Sequence, residues 1–116
     1  LVSPWYPHGD INNYLEKNPK ADHYKLIRGV CNGLINLHDN KIVHGNIKPA
    51  NILVDSDGKA VLCDYGLQTL LCDFPITIHF QSVRYTAPEH RRSCNGVFQG
   101  SKEGDIWAFG CVSIEV

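Results

Sequence analysis

Methionine is absent from the 116 residues, and an excess charge of either sign is nearly absent too, with a net −1 at neutral pH. So even a balance gives no electrostatic basis for binding nucleic acid or an anionic membrane surface. No apolar run approaches the length needed to cross a bilayer. The beginning, Leu1-Val2-Ser3-Pro4-Trp5, lacks the basic stretch and apolar run of a signal peptide. Without a Met, with Leu1-Val2 reading as a strand already under way and an apolar helix from Asp105 stopping in mid-pattern at Val116, the chain is expected to be an internal piece, cut at both ends. The pair C-x-x-C is missing, and the five cysteines (Cys31, Cys63, Cys72, Cys94, Cys111) are odd in number. Both facts argue against a disulfide framework and a thiolate zinc site. Reduced, mostly buried thiols in an intracellular, cytoplasmic protein are expected instead. The six histidines (His8, His23, His38, His44, His79, His90) form no H-x-x-x-H pair, so no histidine metal site is expected.

What is present reads as one small α+β domain. An apolar fraction of 43% with 20% charged residues suits a packed core rather than disorder. Pro4 and Pro7-His8-Gly9 make an extended connector. Asp10 then caps a short helix to about Lys17 that buries Ile11, Tyr14 and Leu15. A longer helix is predicted over 22–39, with Tyr24, Ile27, Val30, Cys31, Leu34 and Leu37 at helical spacing. Gly29 and Gly33 lie one turn apart in it. Each costs roughly 1 kcal/mol against alanine, which predicts close packing against a neighbour. Ile42-Val43, Ile52-Leu53-Val54 and Ala60-Val61-Leu62 read as short strands, the last two joined by a hairpin turn at Asp57-Gly58. The stretch from Asp64 to Glu89 reads as a long loop, a feature usually kept for function.

Chemistry concentrates in His44-Gly45-Asn46-Ile47-Lys48-Pro49-Ala50-Asn51 and in Asp64-Tyr65-Gly66, thirteen positions beyond Asn51. Asn51 offers an amide oxygen and Asp64 a carboxylate, both hard ligands suited to Mg²⁺. Lys48 offers a mobile positive charge, and Pro49 stiffens the loop between them. A hairpin between these segments brings the two oxygen ligands to one end of a small sheet. Metal ions on phosphates, a cation on the transferring group and a residue that orients the nucleophile are what phosphoryl transfer needs.

These motifs resemble those of the protein kinases, whose catalytic loop H-R-D-x-K-x-x-N is followed by D-F-G and A-P-E. The chain supplies His44, Lys48 and Asn51, then Asp64 and Gly66, then Ala87-Pro88-Glu89, in that order. A lone D-Y-G or A-P-E is a common accident; order and spacing together are not. The resemblance implies a mainly helical carboxy-terminal lobe with a small β-hairpin, running over 1–116 from the inter-lobe hinge to the start of the central helix, with the amino-terminal lobe absent. It implies nucleotide contacts at Ser3 and Trp5 in the hinge, Mg²⁺ ligands at Asn51 and Asp64, a phosphate-directed Lys48, and structural roles for His44 and Asp105. Asp105 is expected to accept hydrogen bonds from the catalytic-loop backbone. The activation segment would comprise Asp64, Tyr65, Gly66, Ser82, Ala87, Pro88 and Glu89, with further hydroxyls at Thr69, Thr77 and Thr86. ATP and Mg²⁺ are the implied cofactors and a protein substrate or signalling partner the implied companion. Lysine two places after position 46 is the serine/threonine-type pattern.

Several positions depart from that pattern. Asn46 stands where the family carries its catalytic aspartate, and a carboxamide has no useful basicity near pH 7. It retains hydrogen-bonding capacity and can orient a hydroxyl. Losing a general base costs roughly 10² to 10⁴-fold in rate. Gly45 replaces an arginine that reads a phosphorylated activation loop. Tyr65 keeps the aromatic ring but adds a hydroxyl that needs a partner if buried. Glu89 pairs in the family with an arginine beyond Val116, and would be costly if buried alone. Neither a G-x-G-x-x-G loop nor a V-A-I-K lysine occurs, so the segment by itself is expected to bind nucleotide weakly if at all. Three functions fit: an impaired serine/threonine-type kinase or pseudokinase, a scaffolding or binding module that ignores nucleotide, and a truncated, inactive piece.

Overall fold

The computed structural model describes residues 2–67, 83–91 and 100–116. Ser82, Thr69, Thr77, Cys72, Cys94 and His79, singled out above, lie outside them. Asp10 opens the first helix, α1 (Ile11–Lys17), its carboxylate accepting from the Asn13 N–H at 2.9 Å. Ile11 is buried, while Tyr14 and Leu15 are half-buried against the core. Asp22 caps α2 (His23–Asp39) in the same way, through the Lys25 N–H at 3.0 Å. One side-chain oxygen at each start satisfies a backbone donor that the helix itself cannot.

The buried stripe of α2 is Leu26, Val30 and Leu34, with Ile27, Cys31 and Leu37 half-buried beside it. Tyr24, predicted to be core, is 76% exposed. It precedes Leu26 by two residues and therefore lies about 200° round the helix from it. The stripe rests on an antiparallel hairpin of β1 (Ile52–Val54) and β2 (Ala60–Leu62), in the register Ile52 to Leu62 and Val54 to Ala60. Gly58 turns the hairpin with φ +72°, and Asp55 Oδ1 accepts from the Asp57 and Lys59 N–H groups, each at 2.9 Å. The period-two alternation sends Ile52, Val54, Ala60 and Leu62 to the covered face.

The two α2 glycines are where helix and hairpin meet. A Cβ on Gly29 would lie 3.3 Å from the backbone N and O of Ala60, and one on Gly33 would lie 3.3 Å from Leu62 Cδ1. The expected close approach is therefore present. Ile42-Val43 is not a strand, contrary to expectation. Its backbone is occupied in reversing the chain after α2, with Lys41 at φ +61° and the Ile42 N–H donating back to Leu37 O at 2.9 Å.

Beyond Tyr65 the predicted long loop is partly wound, as a 3₁₀ turn at Val83–Tyr85 and a single helical turn, α3 (Pro88–Arg91). The last helix, α4 (Lys102–Glu115), starts three residues before Asp105 because Ser101 caps it, accepting from the Gly104 N–H at 3.0 Å. Ala108 and Val112 join the core, while Ile106, Trp107 and Ile114 are 56%, 44% and 89% exposed. No described helix is long and apolar enough to cross a membrane.

Candidate active site

The loop from His44 to Asn51 is held by one buried carboxylate. Asp105, 2% exposed in the first turn of α4, accepts from the His44 N–H at Oδ2 and the Gly45 N–H at Oδ1, both at 2.8 Å. His38, near the end of α2, places Nε2 2.9 Å from Asp105 Oδ2, and Lys102 Nζ donates to the His38 carbonyl at 2.8 Å. A buried carboxylate is tolerated only when its lone pairs are filled in this way. Gly45 sits at φ +77°, a conformation that side-chain-bearing residues rarely adopt.

Asn46 is fixed on both sides. Its N–H donates to His44 Nδ1 at 3.2 Å, and its carbonyl accepts from Asn51 Nδ2 at 2.8 Å. With Nδ1 accepting, the His44 proton belongs on Nε2, a buried atom with no hydrogen-bond partner among the described residues. Burial lowers the pKa of His44 against the opposing pull of the Asp105 carboxylate and the Cys63 backbone, so the ring is neutral. Tyr65 meets it edge-on, with ring centroids 6.5 Å apart. At 49% exposure, the Tyr65 hydroxyl needs no buried partner.

Asn51 and Asp64 are brought together by the hairpin. The pairing continues past the strand ends, the Cys63 N–H donating to the Asn51 carbonyl at 3.0 Å, and Asp64 follows at once. Asp64 adopts φ +58°, an uncommon backbone state for which Asp is among the more tolerant residues. Gly66, at φ +70°, returns an N–H to the His44 carbonyl at 3.4 Å. The Cys63 thiol is pushed up to about 11 by burial and, secondarily, by the Asp64 carboxylate. The three described cysteines are unpaired and half-buried rather than fully buried.

A cleft with about 400 Å³ of empty space, open to solvent, adjoins Asn46. Gly45 to Lys48, then Tyr85, Thr86, Ala87 and His90, and Ser101, Gly104 and Ala108 at and after the start of α4 all line it. Lys48 makes no ion pair among the described residues. Ala87 is buried, but Pro88 and Glu89 are exposed. Glu89, in the first turn of α3, is in water, so the cost of burying it alone does not arise. Ser3 and Trp5 are exposed in the extended segment before α1, and no hydrogen bond links them to the loop. Sequence reasoning missed His38, His90 and Arg91. A basic residue in the last turn of a helix is a signal that could have marked His38; nothing in the sequence marks the other two.

The family model for the protein kinase domain matches residues 1–116. The chain belongs to the protein kinase family. Among its kinase relatives, MAP kinase kinase skh1/pek1 of Schizosaccharomyces pombe is 40% identical over 92 residues, covering 79% of this chain and 24% of that protein. L-type lectin-domain containing receptor kinase SIT2 of Oryza sativa subsp. japonica is 34% identical over 127 residues, and L-type lectin-domain containing receptor kinase IV.2 of Arabidopsis thaliana 32% over 127. Each of these two alignments covers all of this chain and 18% of the relative. The described elements are those of a helical kinase lobe with a minor β component.

The kinase cofactors can be tested against the residues present. Asn51 Nδ2 donates one hydrogen bond to the Asn46 carbonyl, and its Oδ1 makes none among the described residues. Asp64 is exposed and accepts no hydrogen bond among the described residues. An amide oxygen and a carboxylate on neighbouring backbone positions have the donor chemistry that suits Mg²⁺, which takes one or two protein ligands and completes its shell with water and phosphate. No group of three or more His, Cys, Asp or Glu side chains able to hold a metal occurs among the described residues.

Proposed function

We propose that this chain forms part of the catalytic lobe of a serine/threonine-type kinase homologue that binds Mg²⁺-nucleotide but transfers phosphate poorly or not at all. One observation carries the reading: the site's framework is retained around a residue that cannot take up a proton. Asn46 is bonded through both its N–H and its carbonyl, and its anchors His44 and Asn51 are themselves buried. Asn51 and Asp64 would hold the metal, and Lys48 would meet the transferring phosphoryl group. When bound, Mg²⁺ supplies charge neutralisation on the phosphate oxygens. Asn46 can orient a substrate hydroxyl through its carboxamide but leaves the hydroxyl proton where it is. Positioning and charge stabilisation carry much of phosphoryl transfer, so residual turnover is compatible with this site.

Thermal unfolding of the full-length protein with ATP and Mg²⁺ tests the binding half of the proposal. A saturable, Mg²⁺-dependent rise in Tm that disappears in Asp64→Ala supports it. No rise at millimolar ATP and Mg²⁺ would instead favour a scaffold that uses the fold without nucleotide.

A further inference from the structure

We infer that His90 is a positioning residue that latches the segment 83–91 onto α4 and so sets the wall of the cleft facing Asn46 and Lys48. Two contacts carry this. His90 Nε2 lies 2.8 Å from Ser101 Oγ, the hydroxyl that caps α4. A Cβ on Gly104 would come within 2.9 Å of the same Nε2 and 3.1 Å of Cδ2. The imidazole therefore lies against the first turn of α4, in space left by the glycine. Ser101 and Gly104 both line the cleft with His90.

Arg91, next in sequence, holds the segment together from within. Its Nε donates to the Thr86 carbonyl at 2.9 Å and its Nη2 to the Val83 carbonyl at 3.1 Å. The segment thus behaves as one unit, and where His90 seats it, Thr86 and Ala87 follow. A second tether joins Tyr85 OH to Glu115 Oε2 at 2.5 Å, near the far end of α4. Glu89, the acidic residue of the A-P-E motif, is exposed and forms no ion pair among the described residues. The imidazole beside it makes the contact with α4.

The latch stands on geometry alone, while its consequence for phosphate transfer rests on the kinase-site reading above. Backbone hydrogen exchange in the full-length protein separates the two, because it needs neither nucleotide nor turnover. His90→Ala is expected to speed exchange of the Thr86, His90 and Arg91 amides by about tenfold, as for a local opening that has lost one anchoring contact. Amides of the hairpin 52–62 should keep their rates. His90→Gln, which can return a polar atom to Ser101 Oγ, should restore most of the protection. Gly104→Ala should loosen the same three amides by forcing the ring away, and adding His90→Ala to it should bring no further loss. Unchanged rates in His90→Ala, or an equal rise throughout the hairpin, would overturn the latch. So would additive effects of the two substitutions, since contacting groups should be coupled.

Discussion

His44 shows how one side chain can be both necessary and awkward. Its Nδ1 organises Asn46, yet its Nε2 is buried without a hydrogen-bond partner among the described residues, and burial lowers its pKa. The folded protein therefore prefers the neutral ring, and the unfolded chain binds the proton more readily. Stability from this group is complete above the unfolded value of 6.5 and is lost as pH falls from there through the lower folded value. His44→Gln should be clearly less stable than the parent at pH 7.5, and the gap should narrow toward pH 5 in denaturant unfolding; a constant gap would contradict the neutral, buried assignment. Cys63 gives a second residue-scale test. With its pKa pushed up to about 11, its alkylation by iodoacetamide at pH 8 should run about a hundredfold slower than that of an unperturbed thiol.

Between elements, the contact of α2 with β2 distinguishes two glycines that look alike in sequence. Gly33→Ala gains helix propensity, about 1 kcal/mol, and meets only the Leu62 side chain, which can shift. Gly29→Ala meets the backbone N and O of Ala60, which cannot yield without moving the strand. Gly33→Ala should raise Tm and Gly29→Ala lower it; the same sign for both would show that the sheet backbone adapts freely. The first two helices, the hairpin and this close approach were legible because each has a local signature: Asp10 and Asp22 as caps, Asp57-Gly58 as a turn, paired glycines as a thin face. Ile42-Val43 misled because apolar β-branched residues satisfy a strand pattern without supplying a partner strand. Tyr24 misled because an aromatic at nearly helical spacing can still fall on the wet side. Ser101 is hard to read as a cap because Lys102, Glu103 and Gly104 carry no apolar periodicity before the run that follows Asp105. The long-range contacts of His38 with Asp105 and of His90 with Ser101 join residues 67 and 11 positions apart, and no local rule reaches that far.

For the whole molecule, the order of motifs and the bonding of Asp105 to the loop backbone were readable in advance, but the third bond, from His38 of α2 to the same carboxylate, was not. Asp105 is the joint of the lobe: three hydrogen bonds from two other segments end on it. Asp105→Ala leaves two backbone donors and an imidazole without an acceptor, and should cost about 3–5 kcal/mol, as for breaking a buried charged network. A change below 1 kcal/mol in denaturant unfolding would mean that water replaces the carboxylate at no cost. Intact, this joint presents Asn46 where, on the proposed reading, a base would stand. The most direct measurement is therefore phosphate transfer to a serine/threonine peptide library by the full-length protein and by its Asn46→Asp variant. A gain of roughly 10² to 10⁴-fold on restoring the carboxylate is predicted. Turnover of about 1–100 per second by the unaltered protein, with no gain in the variant, would contradict a site disabled at this one side chain.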